Sequence, residues 1–222
     1  MKALAFDVFG TLLDPAAVVK PLSEVTADSD GFAVAWRAKQ LESTFLLAAM
    51  GRYVPFAEVT RRALRTTAAR VRIELTDDRV ESLVAAWTRL PPYPDVVASL
   101  ERLGERLDLA VLSNGDPEAL DTALGHAGLR GLLAPVVSAA EVRRFKPARE
   151  VYLRAAERLT RPPHDVVLVS ANAFDVLGAK SAGLRAVWVN RLGAAMDDLG
   201  FGPDLEVPSL RDLTAEDVAS IA

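Results

Sequence analysis

An acid closes the first apolar run of the chain. Asp7 stands in AFDVFGTLLD, just ahead of Gly10 and Thr11. A carboxylate at the end of a buried strand needs a partner or a chemical task, because an unpaired charge is costly away from water. Gly10 lets backbone N–H groups approach a ligand closely, and successive amides in such a turn form an anion-binding concavity. Thr11 can hold one oxygen of Asp7 by a hydrogen bond and leave the other free to attack an electrophile. Lys146, in EVRRFKP, is the expected partner, since an ammonium beside Asp7 keeps it ionised and nucleophilic at neutral pH. Lysine is scarce in the chain, five against 21 arginines, yet one stands in this turn. Asp175 is suited to balance that lysine and orient it.

Such groups act together only if the fold converges them. Five apolar runs without polar alternation read as buried strands, at residues 3–9, 108–113, 134–139, 165–170 and 185–190. Helical patterns at 116–127, 147–160 and 174–182 separate the last four. Asp116 is expected to cap the first of these helices, with Pro117 in its first turn. Strands alternating with helices imply parallel pairing through right-handed crossovers. In open α/β sheets ligands bind beyond the carboxyl ends of the strands. The polar residues fall there: Asp7 after the first strand, Ser113 and Asn114 after the second, Lys146 after the third. Ser170, Asn172 and Asp175 follow the fourth.

Residues 15–92 contain no strand pattern and read as helices around 15–25, 31–50, 56–73 and 77–89. The second is strongly periodic, with Phe32, Trp36, Leu41, Phe45, Leu46 and Met50 on or near one face. Pro91, Pro92 and Pro94 mark the return to the main domain. The expected division is a core of residues 1–14 and 93–222 with a helical cap, 15–92, inserted after the first strand. The last segment, from Pro208, is expected to form a short helix packed on the core.

Composition removes several functions. The 222 residues carry a net charge of −4 and show no basic stripe, so nucleic acid is not an expected partner. Cysteine is absent, which excludes disulfides, thiolate catalysis and cysteine-based zinc sites. The two histidines, His126 and His164, lie at a helix end and before a strand and read as surface residues. Neither is accompanied by a G-x-S-x-G turn. No signal peptide and no membrane-spanning run are evident, so a cytoplasmic protein is expected.

The stretches DVFGTLLD, WRAKQLESTF, LSNGD, FKPAREVY and SANAFDVLGAKSAG resemble the successive motifs of the L-2-haloacid dehalogenases, within the haloacid dehalogenase superfamily. The resemblance covers essentially the whole chain. It implies a Rossmann-like core with a helical cap and a hydrolase acting on carbon–halide bonds. Asp7 would displace halide from C2 of a short (S)-2-haloalkanoate with inversion, and water would hydrolyse the resulting ester to a 2-hydroxyalkanoate. By the same resemblance Arg37 and Asn114 stabilise the departing halide. Thr11, Ser113 and Lys146 hold Asp7 or the substrate carboxylate, and Tyr152, Ser170, Asn172 and Asp175 complete the polar shell. Val8, Phe9, Arg37, Ser113, Asn114 and Phe174 are the implied substrate contacts. No cofactor and no metal are implied, and a homodimer is expected.

Two departures stand out. Where family members usually show Ser-Ser-Asn-x-Trp-Asp, this chain reads SANAFD, so Ala171 lacks a hydroxyl and Phe174 lacks the indole N–H. The alternative readings are a phosphatase of the same superfamily, or another hydrolase with an Asp nucleophile acting at carbon. Such a phosphatase uses D-x-D-x-T and Mg²⁺, whereas the second acid position here is Phe9, which cannot donate a proton. An apolar wall at that position suits a carbon electrophile with a halide leaving group.

Overall fold

β1, Ala3–Phe6, is buried along its whole length and lies in the middle of a six-stranded parallel sheet. The computed structural model, which describes residues 2–221, orders the strands β3-β2-β1-β4-β5-β6. The other strands are β2 (Asp108–Ser113), β3 (Val136–Ser138), β4 (Val166–Ser170), β5 (Arg185–Val189) and β6 (Leu205–Val207). Phe6 is in register with Val111 of β2 on one side and Val169 of β4 on the other. The C-terminal ends of the three central strands therefore sit side by side. The chain order reverses between β1 and β4, which is where a crevice for ligands opens in this kind of sheet.

β1 is shorter than the apolar run around it. Val8 explains the difference: its carbonyl accepts the N–H groups of Thr11, Leu12 and Leu13 at 3.3, 2.9 and 2.9 Å. The chain thus turns at once, and Gly10 takes a φ of 92°, a conformation that favours glycine. Asp7 keeps one last sheet bond, from its N–H to the Val169 carbonyl at 3.0 Å.

Helices α1 (Val19–Leu22), α2 (Ser29–Ala49), α3 (Phe56–Arg70) and α4 (Asp77–Ala85) follow, all between β1 and β2. α2 begins where the Asp28 side chain accepts from Gly31 N, satisfying one unpaired donor of the first turn. Phe32 and Trp36 are buried as the periodicity requires, but Leu46 and Met50 are exposed. The buried stripe continues instead through two polar residues, Gln40 and Thr44. α5 (Val96–Gly104), which the sequence pattern did not separate, leads into β2 and buries Val96, Leu100 and Leu103.

α6 (Pro117–His126), α7 (Arg149–Arg158) and α8 (Ala173–Ala182) connect the later strands, and α9 (Ala215–Ser220) ends the described chain with Val218 in the core. α8 stops at Gly183, whose φ of 93° is a left-handed cap. His126 and His164 are both exposed. Among the described residues no helix is long and apolar enough to cross a membrane.

The C-terminal segment is fastened back onto the β1 turn. Arg191 donates to Asp95 Oδ2 at 2.9 Å and to the Thr11 carbonyl at 3.0 Å, while stacking over Tyr93 at 4.2 Å. The same Asp95 oxygen accepts Leu210 N at 2.8 Å. Burial pushes the Asp95 carboxyl up, but Arg191 and the Leu210 N–H outweigh it and hold the group below its ordinary value.

Candidate active site

Asp7 lies almost buried at the mouth of the central strands, and each of its oxygens has its own environment. Oδ2 accepts from Thr11 Oγ1 at 3.0 Å and from Asn172 Nδ2 at 2.8 Å. Oδ1 accepts from Lys146 Nζ at 3.1 Å. One oxygen is thus held by two donors, and the other carries a single charged contact. Thr11 also accepts Ala171 N at 2.9 Å, which ties the first turn to the turn after β4. Ala171 takes part in that tie through its backbone, so the missing hydroxyl does not break it.

Lys146 is one of the largest fully buried side chains. Its ammonium donates to the Leu112 carbonyl at 2.6 Å and Asp175 Oδ2 at 2.8 Å as well as to Asp7. Burial alone would lower its pKa, but Asp175 and Asp7 outweigh that and raise it. Asp175 is fully buried and accepts Tyr152 Oη at 2.9 Å on its other oxygen. Burial, and then the charge of Asp7, push Asp175 up to about 6 against the pull of Lys146. Three acceptor oxygens therefore surround the ammonium, which stands where both carboxylates converge. Among the described residues no group of three or more His, Cys, Asp or Glu side chains is placed so that it could hold a metal ion.

Arg37 comes from α2 and crosses to the sheet. Its Nη2 donates to the Phe9 carbonyl at 3.2 Å and its Nη1 to Gln40 Oε1 at 2.5 Å. It also lies 5.4 Å from the centre of the Trp87 ring. Burial lowers its pKa to about 10 while Asp7 and Tyr93 resist the change, so it is charged at neutral pH. Phe9 stacks on Phe56 at 5.9 Å and meets Trp87 edge-on at 5.6 Å. Phe174 meets Phe45 of α2 edge-on at 4.9 Å.

Asn114 turns its carbonyl oxygen to Lys146 N, 2.9 Å away, and so presents its NH₂ group to the cavity over Asp7. That cavity, about 10 Å³, is bounded by Asp7, Phe9, Arg37, Asn114, Lys146 and Phe174 among others. It has room for about one water molecule. It shares Phe9, Arg37, Leu41, Asn172 and Phe174 with an outer cleft of about 620 Å³.

The structure thus brings Asp7, Thr11, Arg37, Asn114, Lys146, Tyr152, Asn172 and Asp175 into one bonded cluster. Ser113 and Ser170 lie beside it in supporting positions. Their hydroxyls accept Gly115 N at 3.2 Å and Asn172 N at 3.1 Å, and so shape the two turns. Val8 is different: its side chain is wholly buried in the core and lines neither the cavity nor the cleft, because the turn directs it away. Asp116 makes no side-chain cap at its own helix, contrary to the local pattern.

Sequence reasoning also passed over Gln40, Phe56 and Trp87. Gln40 lies one turn after Arg37 in WRAKQ, a spacing that puts both on one face. Gly178 is a further such case. A Cβ there would fall 2.3 Å from Tyr152 Oη and 2.7 Å from Pro147 Cβ, so only glycine lets α8 approach the tyrosine that holds Asp175.

A family model for haloacid dehalogenase-like hydrolases matches residues 1–183. The (S)-2-haloacid dehalogenase of Pseudomonas sp. (strain YL) is 38% identical over 213 residues, which is 95% of this chain and 92% of that one. The chain belongs to the (S)-2-haloacid dehalogenase family. Another relative, haloacetate dehalogenase H-2 of Moraxella sp. (strain B), is 34% identical and aligns over 94% of each chain. The structure of the L-2-haloacid dehalogenase from Xanthobacter autotrophicus with chloropropionic acid covalently bound covers 100% of both chains, with a TM-score of 0.94 and 33% identity. The haloacid dehalogenase fold therefore extends over this whole chain.

Proposed function

We propose that the protein hydrolyses short (S)-2-haloalkanoates to 2-hydroxyalkanoates, with Asp7 as nucleophile. The observation that carries this reading is the asymmetry of the Asp7 carboxylate. Thr11 and Asn172 fix Oδ2, Oδ1 carries only the Lys146 contact, and Asp7 lines a cavity bounded by Phe9, Phe174, Arg37 and Asn114.

In the first step an Oδ1 lone pair forms a bond to C2 from the side opposite the halogen. The carbon–halogen bond breaks, the electron pair leaves with the halide, and C2 inverts. Charge develops on the departing halide, where the Arg37 guanidinium and the Asn114 amide supply preorganised donors. In the second step water adds to the Asp7 carbonyl carbon. The bond from that carbon to Oδ1 breaks, Oδ1 leaves as the hydroxyl oxygen of the 2-hydroxyalkanoate, and Asp7 is restored as a carboxylate with one oxygen from water, its acid proton passing to solvent. Thr11 and Asn172, which hold Oδ2, polarise the ester carbonyl, Lys146 stands beside the leaving oxygen Oδ1, and Asp175, held by Tyr152, takes up the proton from water and returns it to that oxygen. Ser113 and Ser170 keep the two turns in place, and Ser113 borders the substrate carboxylate.

Residues 15–92 serve in this reading as a cap over a core of 1–14 and 93–222, excluding bulk water during displacement. No metal and no cofactor take part. The protein works in the cytoplasm as a homodimer. Leu46 and Met50, exposed one turn apart on α2, support an apolar contact between caps. Sedimentation showing only monomer at micromolar concentration would refute the dimer.

The reaction is tested by halide release from (S)- and (R)-2-chloropropionate without added metal, with p-nitrophenyl phosphate and Mg²⁺ in parallel. Halide from the (S) acid alone is the expected result. Phosphate release without halide would overturn the reading.

A further inference from the structure

Asp116 leaves its own helix without a side-chain cap and caps another. Its Oδ1 accepts Phe56 N at 2.9 Å and its Oδ2 accepts Ala57 N at 2.8 Å. These are the first two residues of α3, whose N-cap is Pro55 and has no side-chain oxygen to offer. A carboxylate there satisfies two unpaired donors and meets the positive end of the helix dipole. The bond joins the β2 turn, which carries Ser113 and Asn114, to the helical segment inserted after β1.

The hydrogen bonds continue inward from this point. The Phe56 carbonyl accepts Thr60 Oγ1 at 2.9 Å. Thr60 Oγ1 accepts Gln40 Nε2 at 2.6 Å, and Gln40 Oε1 accepts Arg37 Nη1 at 2.5 Å. Thr60 and Gln40 are buried, so the bonds from the Phe56 carbonyl to Thr60 and from Thr60 to Gln40 lie out of competition with water. The Thr60 carbonyl also accepts Trp36 Nε1 at 3.0 Å, which locks α2 against α3. An unbroken chain of bonds thus runs from a core carboxylate through α3 to the guanidinium above Asp7.

We infer that Asp116 is a positioning residue for the displacement step, setting the place of Arg37 and Phe56 over Asp7 through the α3 N-terminus, Thr60 and Gln40. The inference rests on the dehalogenase reading. It makes a kinetic distinction. Halide departure depends on residues of the inserted helices, whereas ester hydrolysis depends on Lys146, Asp175 and Asn172, which Asp116 does not hold.

The test is a single turnover of (S)-2-chloropropionate, enzyme in excess, following halide and 2-hydroxypropionate separately in the wild type, Asp116→Ala and Asp116→Asn. Asp116→Ala is expected to slow halide release ~10–100-fold, the scale for a misplaced reacting group. The subsequent ester hydrolysis should change by less than about 2-fold, because its groups lie on the core turns and are undisturbed. Asp116→Asn keeps one acceptor oxygen and should recover a good part of the loss. A wild-type rate of halide release in Asp116→Ala would overturn the inference, and so would equal slowing of both steps.

Hydrogen exchange of residues 37–40 and 56–60 reads the same connection without activity. Faster exchange in both segments is expected in Asp116→Asn, the variant that keeps one of the two bonds, and in Asp116→Ala. Protection equal to wild type would overturn the inference. Absence of halide from the wild type would instead refute the dehalogenase reading, leaving the exchange result to judge Asp116.

Discussion

The carbonyl oxygen of Asn114 accepts the backbone N–H of Lys146 at 2.9 Å. This one bond joins the turn after β2 to the segment that leads from β3 into α7 and decides which way the amide points. With the oxygen engaged, the NH₂ group is left for the cavity, where the proposed mechanism places the departing halide. Asn114→Asp keeps the acceptor for Lys146 N but turns an oxyanion toward the halide. Halide release should fall ~10²–10³-fold, the usual cost of losing one such donor. The melting temperature should stay close to wild type. A variant with near wild-type activity would remove Asn114 from the halide site.

Asp175, raised to about 6 from its ordinary 3.8 by burial and by Asp7, predicts a pH dependence. Below about pH 6 it takes up a proton and no longer serves as base, so kcat should drop about tenfold per pH unit on that limb. Lys146 is held above its ordinary 10.5, so its charge gives no alkaline loss near neutrality. For stability the sign is opposite to that of an ordinary paired acid. A carboxyl raised by folding contributes fully below its unfolded value and loses that contribution as pH rises through about 6. Thermal melts of the wild type and Asp175→Asn between pH 4 and 7 check this, since only the wild type should show the loss.

Gly178→Ala should damage both stability and rate. The added methyl meets Tyr152 Oη and Pro147 Cβ well inside contact distance. Overpacking of this kind costs roughly 1–3 kcal/mol. Displacing Tyr152 also frees Asp175, so kcat should fall with the melting temperature. An unchanged melting temperature would contradict the packing described for α8.

Chelation should have no effect. The Lys146 ammonium bonds both Asp7 and Asp175 and stands where a divalent cation would need their oxygens. Assays with and without EDTA should agree within error. A loss of rate restored by Mg²⁺ would contradict the proposed chemistry and favour phosphoryl transfer.

Much of this arrangement is legible in the sequence, for a physical reason. A central parallel strand is buried on both faces, so it appears as an uninterrupted apolar run, and the polar residue that follows marks its end. Asp7, Asn114 and Asn172 follow central strands in this way, whereas Lys146 lies eight residues past the edge strand β3. The short edge strand β6 was not, because LEV has an exposed Glu206 and only three residues between turns. α2 was read by its apolar period, which could not show that Gln40 and Thr44 carry the buried stripe onward while Leu46 and Met50 face solvent. Asp116 misled for a related reason. Its spacing from Pro117 satisfies a local capping rule, but its partners lie 59 and 60 residues away, beyond the reach of any local pattern.

The central claim is that Asp7, and not water, attacks the substrate carbon. A single turnover of (S)-2-chloropropionate in ¹⁸O-water, with enzyme in excess, tests it most directly. The account predicts ¹⁸O in the peptide containing Asp7, and 2-hydroxypropionate without label. Label in the product and none on Asp7 would mean that water attacks C2 directly, and would contradict it.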